Sequence, residues 1–119
     1  MKRDYYITVR KQAGYIDVER VRGNVYIFRL ESHNVPIGIR CIQRGKWVID
    51  DLYTGLRWNK RPYESEAAAK QDMINCADLY LLKMREDYIS THQRDIRQLE
   101  ICNYELPVYD FIYGSSTKV

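Results

Sequence analysis

Arg44 to Asp72 reads RGKWVIDDLYTGLRWNKRPYESEAAAKQD, a stretch that holds two turn signals, both tryptophans and a helix start. Arg44-Gly45 closes one turn and Thr54-Gly55 another. The run between them alternates, with Trp47, Ile49 and Asp51 pointing one way and Val48, Asp50 and Leu52 the other. Such alternation predicts one core face and one solvent face, with Asp50-Asp51 as a solvated strand end. As strand neighbours those two carboxylates point to opposite faces, a poor arrangement for sharing a metal ion. Pro62 fixes its own φ and disfavours helix at Arg61, so the chain must turn before a helix begins. Ser65 is then placed to cap that helix, its hydroxyl accepting a free amide of the first turn, while Glu64 and Glu66 suit the positive end of the helix dipole. The predicted unit is a β-hairpin feeding a helix that runs forward from Ala67.

Upstream, Asp4 to Lys11 reads as a first strand with Tyr5, Ile7 and Val9 on one side and Tyr6, Thr8 and Arg10 on the other. Ala13-Gly14 ends it. Tyr15 to Arg22 alternates again, Ile16 and Val18 inward, Asp17, Glu19 and Val21 away. Gly23-Asn24 tolerates positive φ and predicts a tight turn into Val25 to Leu30. The arm Val25 to Phe28 is apolar on both faces, the mark of a central strand covered on both sides or of an aromatic face that meets a partner. Ser32 to Pro36 reads as a loop. Ile37, Ile39 and Cys41 then mark a strand whose other face shows Gly38, Arg40 and Ile42.

Downstream, Ile74, Ala77, Leu81, Met84 and Tyr88 recur at three and four, an amphipathic helix with Asp72, Asp78, Lys83 and Arg85 outside. Ile89, His92, Ile96 and Leu99 continue in a shifted phase, and Ser90 to Gln93 has the spacing of a capping box. The region is therefore one long helix, with reach enough for a homodimer contact, or two consecutive ones. Val108 to Tyr113 is short, aromatic and strand-like, and residues 114–119 read as a flexible tail. The expected architecture is α+β: an antiparallel sheet of about five strands packed by those C-terminal helices, in a single domain over residues 1–113.

A Gly-x-Trp strand, a turn, a second strand, an aromatic and a Ser-Glu-x-Ala-Ala helix start stand here as Gly45-Lys46-Trp47, Thr54-Gly55, Tyr63 and Ser65-Glu66-Ala67-Ala68-Ala69. Across residues 37–80 this pattern resembles the three-stranded-sheet-plus-helix DNA-binding domains of plant ethylene-response factors and of phage integrase arm-binding domains. The resemblance implies a sheet whose outer face, carrying arginines and a tryptophan, enters the major groove. The chain departs from it at Asp50-Asp51, where the family usually has basic residues.

The 119 residues suffice for one core without metal or disulfide support, and 45% apolar content is ordinary for a globular chain. Cys41, Cys76 and Cys102 are odd in number and lack Cys-x-x-Cys spacing, so the expectation is buried free thiols in a reducing cytoplasm. No cationic leader with an apolar core opens the chain and no apolar run approaches the ~18 residues of a membrane span. His33 and His92 form no ligand cluster, and neither a phosphate-cradling glycine loop nor a Gly-x-Ser-x-Gly elbow occurs. No cofactor, metal or catalytic residue is expected.

Charge is unevenly spread: Met1 to Arg61 holds thirteen Lys and Arg against six Asp and Glu, the remainder six against ten, and the two halves together give +3. Cations and aromatics interleave in the basic half. Arginine grips phosphate as a planar fork and aromatic faces stack on bases, which selects Arg40, Arg44, Lys46, Trp47, Tyr53, Arg57, Trp58, Lys60 and Arg61 as candidate binding residues for nucleic acid or a nucleoprotein complex. The same residue types dominate protein–protein hot spots. The rival expectation is therefore an inhibitor that docks on a host defence protein; the small, mixed-charge, motif-free build is similar to phage or mobile-element inhibitors, including anti-CRISPR proteins.

Overall fold

The computed structural model describes residues 2–10, 16–29, 34–52, 55–77, 79 and 110–113. Within them lie β1 (Lys2–Arg10), β2 (Ile16–Arg29), β3 (Asn34–Gln43), β4 (Lys46–Asp51), α1 (Glu66–Asn75) and β5 (Asp110–Tyr113). The strands β1-β2-β3-β4 pair in that order, each antiparallel to the next, and β5 pairs parallel to β2. At Asn24 both Lys2 of β1 and Ile39 of β3 are partners, so β1 and β3 occupy opposite edges of β2. β5 therefore shares the β1 edge, continuing it along Tyr26 to Arg29. The α+β class and a sheet of about five strands hold. Expectations on Leu81, Met84 and Tyr88, a break near Ser90, and a tail over 114–119 fall outside the described residues.

The face bearing Tyr26, Phe28, Val35, Ile37, Ile39 and Ile49 packs against Ala69, Met73 and Ala77, with Trp47 and Ile74 at its margin. Trp47 and Ile49 thus do share a core with the helix. The buried positions are Ala69, Met73 and Ala77, with Ile74 partly buried beside them, and Ser65 caps the helix, its side chain accepting the Ala68 amide at 3.0 Å. Glu66 then ties the first turn to the sheet. It accepts hydrogen bonds from Asn24 Nδ2 at 3.1 Å and from the Tyr26 hydroxyl, while Lys70 lies 3.6 Å from it and 4.4 Å above the Tyr26 ring.

Five expectations about the fold are corrected. Gly23-Asn24 is no turn; β2 continues unbroken through it for 14 residues. The glycine is there for close approach, since a Cβ would sit 2.6 Å from the Ile39 carbonyl oxygen and 2.8 Å from Arg40 Cβ. Val21, expected outward, lies opposite Tyr5 and packs with it, Ile7, Val25 and Leu52 in a second core. Val25 and Phe28 consequently sit in different cores, one on each face of β2. Asn34 to Pro36, read as loop, opens β3, with Val35 buried and the Pro36 carbonyl accepting the Leu52 amide at 2.9 Å.

The fourth correction is the largest: Asp50 and Asp51 are not a solvated strand end but are 1% and 7% exposed. Thr8 of β1 donates its amide to the Gly55 carbonyl at 3.0 Å, and a Cβ on Gly38 would lie 2.3 Å from the Tyr5 ring. To make both contacts the β1–β2 ribbon must curl across the sheet face away from α1. Asp50 is buried beneath that ribbon. Cys41, expected inside, is exposed, and Cys76 is partly so; both are free thiols, and Cys102 lies outside the described residues.

Candidate nucleic-acid interface

Two sharp turns frame β4. Gly45 takes φ +71 in the β3–β4 turn, as the Arg44-Gly45 reading requires, and Gly55 takes φ +74 where its amide returns to the Asp51 carbonyl at 2.6 Å. From Gly55 the chain runs back along the outer edge of β4. Arg57 lies opposite Asp50, the Trp58 amide donates to the Ile49 carbonyl at 2.8 Å, and Trp47 and Tyr63 exchange two backbone bonds at 2.8 Å. Between those anchor points the backbone leaves the ladder and Asn59 takes its place. Its Oδ1 accepts the Ile49 amide at 2.9 Å, and its Nδ2 donates to the carbonyls of Trp47 at 3.3 Å and Arg61 at 2.8 Å.

That clamp holds Lys60-Arg61 beside Lys46-Trp47, close to the Arg44 turn. Arg44, Lys46, Arg57, Lys60 and Arg61 are all exposed, and none forms an ion pair among the described residues. Phosphate-binding cations must be free in this way, because an existing carboxylate partner has to be displaced first. Trp47 is half-buried against α1 and Trp58 packs partly on the same core. Trp58 also hydrogen-bonds Tyr63, whose hydroxyl donates to Asp72 Oδ2 at 2.5 Å on α1. Burial and the Asp72 bond push the Tyr63 hydroxyl above its ordinary value, so it stays a neutral donor. Tyr53 lies outside the described residues.

Arg40 is placed differently from the other candidates. Its Nε donates to Asp50 Oδ2 at 2.7 Å and its Nη2 to Oδ1 at 3.5 Å, while the Tyr5 hydroxyl donates to the same Oδ2 at 2.7 Å. Burial alone would lower the Arg40 pKa, but the hydrogen bond and charge of Asp50 outweigh it and raise it. Arg40 is thus committed to an internal pair. The face away from α1, by which the family resemblance implies groove contact, is covered by the ribbon, whose Tyr5 packs with Leu52 over this pair.

Sequence reading missed Asn59 and Asp72, and the pairing of Asp50 with Tyr5. Asn59 carried no pattern, since its role is to replace backbone partners that a regular strand would supply. Comparison with protein-family models, curated proteins and solved structures returns no match.

Proposed function

We propose that this chain is a non-catalytic cytoplasmic protein that binds nucleic acid, free or within a nucleoprotein complex, through the β3–β4 turn and the segment returning along β4. The observation that carries the reading is the set of five exposed cations, Arg44, Lys46, Arg57, Lys60 and Arg61, held about one side-chain clamp and free of ion pairs among the described residues. Contact is made by the edge and turn of the sheet, with Trp47 packed partly on the core and Arg40 as an internal cation. Affinity should fall steeply with salt, each phosphate contact contributing about 0.9 to the logarithmic slope on duplex DNA and about 0.7 on a single strand. Charge reversal at Arg44, Lys46, Lys60 and Arg61 should weaken binding and flatten that slope while leaving the melting temperature in place. Absence of binding to any DNA or RNA at about 50 mM salt would sink the reading.

A second reading is supported by β5. Phe111 and Tyr113 are 46% and 63% exposed, stack at 6.4 Å, and have the Arg29 guanidinium 5.3 Å over the Phe111 ring. Aromatic and arginine side chains grouped in this way are what protein interfaces use as hot spots. They suit an inhibitor docking on a host defence nuclease. A pull-down from host lysate separates the two readings: nuclease treatment abolishes capture in the first and spares it in the second.

A further inference from the structure

Trp58, near the cations, is fixed from two sides. One part of its ring packs against the helix-side core, and its bond to Tyr63 continues through the Tyr63 hydroxyl to Asp72 on α1. It remains partly exposed, on the same short segment as Arg57, Lys60 and Arg61. A side chain whose orientation is already set loses little freedom when another ring stacks on it. The cations around it stand on irregular backbone, where Asn59 replaces ladder bonds, so their spacing follows the loop and not a strand repeat.

Duplex readers place a helix or a two-stranded ribbon in the major groove. The one cation of α1, Lys70, is engaged by Glu66 at 3.6 Å and lies over the Tyr26 ring, and both sheet faces hold the protein's own cores. A flexible single strand can adapt its phosphates to unevenly placed cations and turn a base toward an aromatic ring. We propose that the interface takes single-stranded nucleic acid, a base stacking on Trp58 while Arg57, Lys60 and Arg61 follow the backbone. This deepens, and rests on, the nucleic-acid reading above.

The test uses the full chain, an oligothymidylate of about 12 nucleotides, within the site sizes of single-strand binders, and a duplex of equal length, both in low salt. The single strand should bind more tightly, and Trp58 fluorescence, isolated by a Trp47→Phe variant, should be quenched by it. Trp58→Leu keeps an apolar contact but removes the stacking face, and should lose about tenfold in single-strand affinity, the scale of one base–aromatic stack; Trp58→Phe should retain most of it. If Trp58→Leu fails to fold, the quenching and the strand preference decide. Duplex affinity equal to or above that of the single strand, or an unquenched Trp58, overturns the proposal and leaves the nucleic-acid reading intact. Binding of neither oligonucleotide removes both.

Discussion

The two faces of this sheet are buried by different means. Toward α1 the cover is apolar and local: Met73 and Ala69 descend on Ile37, Ile39 and Ile49, and the helix starts where Ser65 caps it. On the other face the cover is the β1–β2 ribbon, and its innermost contact is polar, the Tyr5 hydroxyl and Arg40 guanidinium converging on one buried carboxylate. An apolar core of this kind tolerates approximate shape, whereas a buried charge must have its partners in place. Asp50 therefore fixes how far the ribbon slides across β3, with Gly38 leaving room for the Tyr5 ring. The first face supplies adhesion and the second supplies register.

The sharpest way to break that contrast is Asp50→Ala. It leaves the Arg40 guanidinium buried without its partner and orphans the Tyr5 hydroxyl, so we expect a loss of about 3–5 kcal/mol in denaturant unfolding. Replacing both charges, as Arg40→Met with Asp50→Leu, should be less damaging than the single change, because no unpaired charge remains. A single variant within about 1 kcal/mol of wild type would make the pair an ornament of the fold. On the opposite face Met73→Ala should cost about 3 kcal/mol, the ordinary penalty for a methionine-to-alanine cavity, with no change in the alkaline behaviour described below. A midpoint shift of that size tests whether the helix cover is as apolar in energy as it is in composition.

These two faces were unequally legible. The Arg44-Gly45 turn, a strand through Trp47 and Ile49 and the Ser65 cap are short-range chemistry, and each appears where its residues predicted it. Gly23-Asn24 misled because glycine serves both positive φ and close approach; here its neighbour is Ile39, 16 positions on, which no local pattern announces. Asp50 misled for a related reason. Alternation assigns a carboxylate to solvent by default, and what buries it is Tyr5, 45 residues earlier. At the candidate interface Arg44 and Lys46 stood about a turn that was read, but Asn59, which brings Lys60-Arg61 beside Trp47, acts through three backbone groups and has no sequence signature.

A smaller effect, on the polar face, is pH. Burial first, and the Asp50 charge second, raise the Tyr5 hydroxyl well above its ordinary value. The unfolded chain releases that proton near pH 10 while the folded chain keeps it, so above this point the folded state binds more protons. The contribution is therefore complete below about pH 10 and is lost as pH rises, at about 1.4 kcal/mol per pH unit. Tyr63, raised chiefly by burial and then by Asp72, acts in the same sense but at a more solvent-screened site. Tyr5→Phe should flatten the decline in stability between neutral and strongly alkaline pH by one proton. An unaltered slope in that variant would show that Tyr5 is not held neutral by the ribbon fold.

The smallest expected effect returns to the helix-covered face. Ser65, with φ −153 and ψ 164, is extended, and its hydroxyl accepts the Ala68 amide, one of the first-turn donors that the helix cannot satisfy for itself. Ser65→Ala should cost about 1 kcal/mol, and Ser65→Gly only a few tenths, because glycine leaves that amide open to water. The cap also sets the phase that aims Ala69 and Met73 inward and brings Glu66 to Asn24 and Tyr26. If the cap acts through that phase, Ser65→Ala and Glu66→Gln should be non-additive in a double-mutant cycle, since both hold the same first turn. Strict additivity would reduce Ser65 to a single local bond and leave the positioning of α1 to its apolar contacts alone.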